Sequence, residues 1–307
     1  MLVVAGCALI GGCGPVAPRV VFSQWRFEGF DVVSYVPEDP VGLVYVFHGS
    51  GGGAAFATRV ETVDTLNELV DRGYGFVATE STERTGDQRW NVTDPSLTTN
   101  PDLARLTRLQ QHLVDTTPVT ATTPLSGIGM SNGARFVSLW GQTWADDDRP
   151  VAAIAMYMGT IANPVTAGDG LTVPAFFVTA EHDFTSPPGP IIADRAATAA
   201  AGTPTELIVA AEQPLSSGRF LRIPGIDAPE AAATFDALVA TGVWDAQGRR
   251  LVTIDQAVTR LATTALPPSV VPQRNEIFNQ CALVLAVHQM RGDVKVPVAD
   301  FLAAHAP

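Results

Sequence analysis

The run Ser126-Gly127-Ile128-Gly129-Met130-Ser131-Asn132-Gly133 constrains this chain more than any other stretch. A short apolar segment enters Gly-x-Ser-x-Gly, and a helix-forming stretch from Ala134 to Trp140 follows at once. That order predicts a strained strand-to-helix turn that lifts one hydroxyl out of a sheet. Gly129 and Gly133 remove the Cβ atoms that would collide where the turn passes its neighbours, and Ser131 takes an unfavourable backbone conformation. A serine held this way is a candidate nucleophile toward a carbonyl carbon.

The rest of the sequence alternates short apolar runs, bounded by turn residues, with longer amphipathic stretches. This is the pattern of a mainly parallel sheet with helices on both faces. Strands are predicted at Val20–Trp25, Asp31–Val36, Gly42–Phe47, Gly75–Ala78, Leu125–Met130, Val151–Tyr157, Ala175–Thr179 and Glu206–Ala210. Helices are predicted at Ala57–Arg72, Pro101–Asp115, Gly133–Thr143, Pro190–Ala201 and Val298–His305, with Asp102 capping the helix after Pro101. The alternation fails between about residues 211 and 280, where strand signal is weak. Helices there are expected at Ile226–Thr241, with Asp227 as N-cap and Gly242 as the stop, at Ile254–Ala265, and at Asn275–Met290. The expectation is a helical insertion before the final helix of a single domain spanning 19–307, packed over the mouth of the sheet or lying away from it. Of 307 residues, 46% are hydrophobic and 16% charged, enough apolar material for a large core and too little charge for disorder. A formal charge of −12 with scattered Lys and Arg excludes a phosphate-binding face, and with it nucleic acid as partner.

Residues 1–18 carry no charged side chain, and Leu2 to Ile10 are nearly all apolar. Such a core is too short to span a bilayer and suits an export signal, with the terminal amine or an upstream segment supplying the positive charge. Val4-Ala5-Gly6-Cys7 and Ile10-Gly11-Gly12-Cys13 resemble bacterial lipoprotein cleavage boxes. The resemblance implies lipidation of the cysteine, Cys13 being better spaced than Cys7, and an extracytoplasmic protein, secreted or attached to a membrane through its N-terminal lipid. A buried first strand with incidental cysteines is the alternative. The third cysteine, Cys281, sits among Leu283, Leu285 and Val287 as a small hydrophobe, and no ligand spacing points to a metal.

Two further elements bear on chemistry. In Val44-Tyr45-Val46-Phe47-His48-Gly49-Ser50-Gly51-Gly52-Gly53 a buried strand ends in His-Gly and a glycine cluster. Acyl transfer builds negative charge on a carbonyl oxygen, and fixed backbone N–H groups stabilise it. One donor is expected from Ser50 or Gly51 and the other from Asn132, while His48 is read as structural. A phosphate cradle would need the Gly-Lys-Ser/Thr ending that this loop lacks. In Val173-Pro174-Ala175-Phe176-Phe177-Val178-Thr179-Ala180-Glu181-His182-Asp183 a strand delivers acids at its C-terminal end, where open α/β sheets place their sites. Asp183, with Glu181 second, is the candidate carboxylate to orient a histidine. His182 is expected to point away from Asp183.

Together these elements resemble the α/β-hydrolase superfamily, and most nearly the secreted esterases related to polyhydroxyalkanoate depolymerases and feruloyl esterases, which share a Gly-Met-Ser-Asn-Gly elbow. The likeness covers Asp31 to Thr185 well and the C-terminal third poorly. It implies an α/β-hydrolase fold and a Ser, acid, His chain order. It further implies cleavage of small or polymeric carboxylic esters through an acyl-enzyme, with no metal or organic cofactor. Of the five histidines, His288 precedes the final helix by a short loop, where the family places its base. His112 comes before the serine, and His305 lies in the last helix. His288 departs from the family's pattern in ending a predicted helix and in lying far downstream of Asp183. Trp90 falls near where related esterases line the substrate cleft, and it serves equally as a loop anchor. The alternatives are a peptidase or acyltransferase on the same scaffold, or a binding protein with the fold and no working triad.

Overall fold

The computed structural model describes residues 14–166 and 170–306; Cys7 and Cys13 lie outside the described residues. Eight strands form one sheet: β1 (Ser23–Phe27), β2 (Phe30–Tyr35), β3 (Gly42–Phe47), β4 (Tyr74–Thr79), β5 (Leu125–Met130), β6 (Val151–Tyr157), β7 (Ala175–Ala180) and β8 (Thr205–Ala210). Their spatial order is β1-β2-β4-β3-β5-β6-β7-β8. β1 with β2 and β2 with β4 run antiparallel, and every other neighbouring pair is parallel. This order and these directions are those of the α/β-hydrolase fold.

The strands are long apolar runs because both faces are covered. Along β3, Leu43, Tyr45 and Phe47 enter one apolar cluster while Val44 and Val46 enter the other. The first face carries α2 (Pro101–Thr116), α3 (Asn132–Asp146) and α5 (Pro188–Ala200), which supply Leu106, Leu109, Phe136, Trp140 and Ile191. The second carries α1 (Val60–Asp71) and, from the far end of the chain, α9 (Lys295–His305), with Leu66, Leu69, Phe301 and Leu302. A short α4 (Asn163–Thr166) follows β6.

Between β8 and α9 the chain builds α6 (Ala228–Val239), α7 (Ile254–Ala262) and α8 (Arg274–Val284) around a third cluster that includes Phe220, Trp244, Ile277 and Cys281. Asp227 caps α6 with a reciprocal capping box to Glu230, and Gly242 follows at φ 70°. Cys281 is fully buried, and burial pushes its thiol upward, so it is unreactive. α8 is shorter than the sequence predicts. It stops at Val284, where the Val287 N–H returns to Ala282 O and the Ala286 N–H to Leu283 O, with Ala286 at φ 51°. This is a Schellman stop made with alanine where glycine is usual, so no residue type announces it. Asn100, not Asp102, caps α2: its side-chain oxygen accepts the N–H groups of Asp102 and Leu103.

The β5–α3 turn packs backbone against backbone with no room for a side chain. A Cβ on Gly129 would lie 2.0 Å from Gly133 O, and one on Gly133 would lie 2.3 Å from Phe47 O and 2.5 Å from His48 O. Those oxygens are backbone and have nowhere to retreat. Gly133→Ala is therefore expected to cost about 3 kcal/mol or more, or to prevent folding. Gly189→Ala, where a Cβ meets nothing within 4 Å, should leave the urea midpoint unchanged.

Candidate active site

Ser131 occupies the apex of that turn at φ 58°, ψ −119°, a conformation that costs of order 1–3 kcal/mol. Its N–H donates to Tyr157 O at 2.8 Å, which ties the apex to the end of β6. Asn132 begins α3, so its N–H has no intrahelical acceptor and points out of the helix N-terminus, where negative charge is favoured. The Asn132 side chain does separate work. Its Oδ1 accepts the Trp90 N–H at 2.7 Å and its Nδ2 donates to Trp90 O at 3.3 Å, clamping the loop after β4 onto the turn.

Trp90 is 2% exposed. Its indole stacks on Phe136 with centroids 4.7 Å apart, and its Nε1–H donates to His48 O at 3.0 Å. It therefore anchors the loop to the turn, the anchoring one of the two roles the sequence left open. Asp102, fully buried, extends the same support: Oδ1 accepts the Thr82 N–H at 2.6 Å and Oδ2 the Asn91 N–H at 2.7 Å. Sequence reasoning missed this role, because the partners are backbone groups of a loop with no regular pattern.

The glycine loop packs directly on the serine. A Cβ on Gly49 would sit 3.3 Å from Ser131 Cβ. The Gly51 N–H, the alternative to Ser50 as an oxyanion donor, is engaged by Asp87 O at 2.6 Å, and the Gly52 N–H by Gly49 O at 3.1 Å. The Ser50 N–H has no acceptor among the described residues. Ser50 and Asn132 are thus the donors left, and Gly51 is spent on holding the loop. His48 is 1% exposed, with Nδ1 on Gly49 O at 2.7 Å and Nε2 facing the Ser81 N–H at 3.2 Å. Those contacts make it the neutral Nδ1–H tautomer, a strut for the loop.

Asp183 follows β7 and is 2% exposed. Oδ1 accepts the N–H groups of Thr185 and Ser186 at 2.9 and 2.8 Å, and Oδ2 meets His288 Nδ1 at 2.7 Å. Three donors hold the carboxylate in place, and its bond to Nδ1 fixes the histidine as the Nδ1–H tautomer. Met290, two residues after His288, and Met130, just before Ser131, share one apolar cluster. Asp183 and Ser131 follow strands separated only by β6, roughly 9–10 Å across two inter-strand spacings. No hydrogen bond joins Ser131 Oγ to His288 among the described residues, as is common for such pairs before substrate tightens them.

The other candidates stand elsewhere. Glu181 is exposed and directed at the Glu212 N–H, and His182 Nε2 faces Glu212 Oε2 at 3.3 Å. His112 packs on Trp25 and Phe27, and His305 on Phe301. Among the described residues no group of three or more His, Cys, Asp or Glu is arranged to hold a metal ion.

No protein-family profile and no curated protein matches the chain. Among solved structures the chain is similar to an arylesterase, at 13% identity over 71% of this chain and 84% of that one, TM-score 0.48. It is similar also to a carboxylesterase from Mesorhizobium loti, at 15% over 71% and 98%, TM-score 0.47. A third is an acetyl xylan esterase from Aspergillus awamori, at 12% over 59% and 81%, TM-score 0.45.

Burial holds the His48 imidazole far below its ordinary value of 6.5, at about 4, against the opposing hydrogen bond to Gly49 O and aided by the charges of Arg84 and Arg105. Between those values the unfolded chain binds a proton that the folded protein refuses. Stability is therefore whole above about pH 6.5 and is lost as pH falls toward 4. The urea midpoint of the wild type should drop through that window. His48→Asn, which keeps a donor for Gly49 O and cannot titrate, should show a shallower drop.

Proposed function

We propose that the protein is a serine hydrolase of carboxylic esters. The carrying observation is the 2.7 Å contact between buried Asp183 and His288 at the sheet edge that also presents the strained Ser131. In this reading Ser131 Oγ attacks the ester carbonyl carbon while its proton passes to His288 Nε2. The N–H groups of Asn132 and Ser50 hold the oxyanion, and the helix N-terminus behind Asn132 adds to their field. The tetrahedral intermediate collapses as His288 returns the proton to the departing alkoxide oxygen, leaving an acyl-Ser131 ester. Water then attacks that ester, giving its proton to His288, and the acid departs as Ser131 recovers its hydrogen. Asp183 stays ionised throughout, holding the Nδ1–H and offsetting the imidazolium charge. The chemistry draws on side chains and backbone alone.

A fluorophosphonate probe should label the wild type on Ser131, and labelling that survives Ser131→Ala would end the proposal. Hydrolysis of a short nitrophenyl ester should fall by about 10⁴-fold or more in both Ser131→Ala and His288→Ala. Unchanged turnover in His288→Ala would show that another group is the base.

The N-terminal stretch supports export with a lipid on Cys13, and the chain is docked to the body from Val16, whose N–H donates to Arg222 O at 2.8 Å. Palmitate incorporation in a bacterial host should vanish in Cys13→Ser. Loss in Cys7→Ser instead would move the anchor to the earlier box.

A further inference from the structure

Glu61, on the first turn of α1, is 4% exposed and lies outside the chemistry described above. Its Oε2 accepts the N–H of Gly292 at 2.7 Å, four residues beyond His288. Its Oε1 accepts from Gln280 Nε2 of α8 at 2.8 Å and from Arg222 Nη2 at 3.1 Å. One buried carboxylate therefore joins α1, the helical segment and the loop that carries His288. Gly292 lies so close that a Cβ on it would be 2.8 Å from Glu61 O and 2.9 Å from Glu61 Oε2.

The other ties of that loop define what Glu61 adds. Upstream of His288, Ala286 O accepts the His182 N–H at 2.9 Å, fixing the loop to the end of β7. Within it, Gln289 Nε2 donates to Asn279 Oδ1 at 2.7 Å. Downstream, Arg291 is 1% exposed, donates to Leu283 O at 2.9 Å and pairs with Asp293. All of these hold the loop to β7, to α8 or to itself, and among the described residues the Glu61 bond to Gly292 is the hydrogen bond that ties it to α1. The same charges border the buried phenol of Tyr157, whose carbonyl oxygen receives the Ser131 N–H. A buried carboxylate is expensive, and its retention here is explained by the geometry it enforces.

We infer that Glu61 is a positioning residue for His288, fixing the imidazole relative to Ser131 through the Gly292 N–H. The inference rests on the reading of Ser131 and His288 as nucleophile and base. Glu61→Gln keeps the volume but replaces one acceptor oxygen by a donor, so either the Gly292 bond or the bonds to Gln280 and Arg222 are lost. Gly292→Ala pushes the loop off α1 without removing a charged group. Lys295→Met removes the ion pair between Lys295 and Asp64, on the same helix, and leaves the Gly292 bond intact.

The test uses the full chain and a short nitrophenyl ester. In Glu61→Gln and Gly292→Ala, kcat should fall about tenfold or more, as misplacement near an ångström does, with KM within about twofold. Lys295→Met should keep kcat. The low-field Nδ1 proton resonance of His288, identified by its loss in His288→Gln, should shift or broaden in the first two variants only. A kcat within about twofold of wild type in a folded Glu61→Gln or Gly292→Ala, or an equal fall in Lys295→Met, overturns the inference. Should the wild type neither label at Ser131 nor hydrolyse esters, the proposed reaction fails, while the resonance still reports whether Glu61 places His288.

Discussion

The structure depends on one contact with no slack: the first turn of α3 rests on the backbone oxygens of Phe47 and His48, with Gly133 O pressed against Gly129. Any side chain at those two glycines would force the helix away from β3 and β5. Because the helix cannot retreat, Ser131 must turn through a positive φ to connect strand to helix. The strain at Ser131 is thus a consequence of close packing, repaid by the apolar burial of Phe136, Val137 and Trp140 behind it. The same approach brings Gly49 against Ser131 Cβ, so Ser131 and the glycine loop are positioned by one packing event.

A second device recurs around the sheet edge. Three buried carboxylates accept backbone N–H groups from connecting segments outside the α-helices and strands. Asp102 takes Thr82 and Asn91, Asp183 takes Thr185 and Ser186, and Glu61 takes Gly292. Irregular backbone near a core leaves donors that must be satisfied, and an ionised carboxylate satisfies two or three at once with charge-assisted bonds. Asn132 does the equivalent for Trp90 with a neutral amide. Loops held this way can be irregular in path and still rigid, as a site built at strand ends requires.

The parts legible in the sequence were those with a local cause. β3, β5 and β6 fall on the residues expected because each is a complete apolar run between turn formers. The turn at Ser131 was legible because glycine spacing reports close approach directly. The pairing of Asp183 with His288 was legible only as chain order aided by resemblance, since 105 residues separate them. What could not be read were groups whose partners are distant backbone atoms. Asp102 and Glu61 look like ordinary first-turn acids of exposed helices, where acids are favoured by the dipole, and only the fold shows them buried. The two roles open to Trp90 could not be separated for the same reason: a loop aromatic becomes an anchor only when Phe136 and His48 O arrive from elsewhere. The end of α8 was hidden because alanine, not glycine, takes the left-handed position at 286.

The long excursion between Asp183 and His288 is consistent with a precise site because its cost is paid locally. Closing a longer loop costs only about 0.6 kcal/mol per doubling of length, so distance along the chain is a weak obstacle. The excursion also folds around its own apolar cluster, from Leu215 to Leu285, which makes it a stiff body and not a slack tether. It returns to the central sheet and α1 at defined points. Gln213 N–H meets Val284 O, His182 N–H meets Ala286 O, and Arg222 reaches Glu61 and Asp64. Ala286 stops α8 in a strained turn two residues before His288, so the imidazole leaves the helix where the end of β7 can bind it. Seen this way, the helical segment acts first as a mount for His288, and its packing against α1 and β7 is what converts a remote histidine into a partner of Asp183.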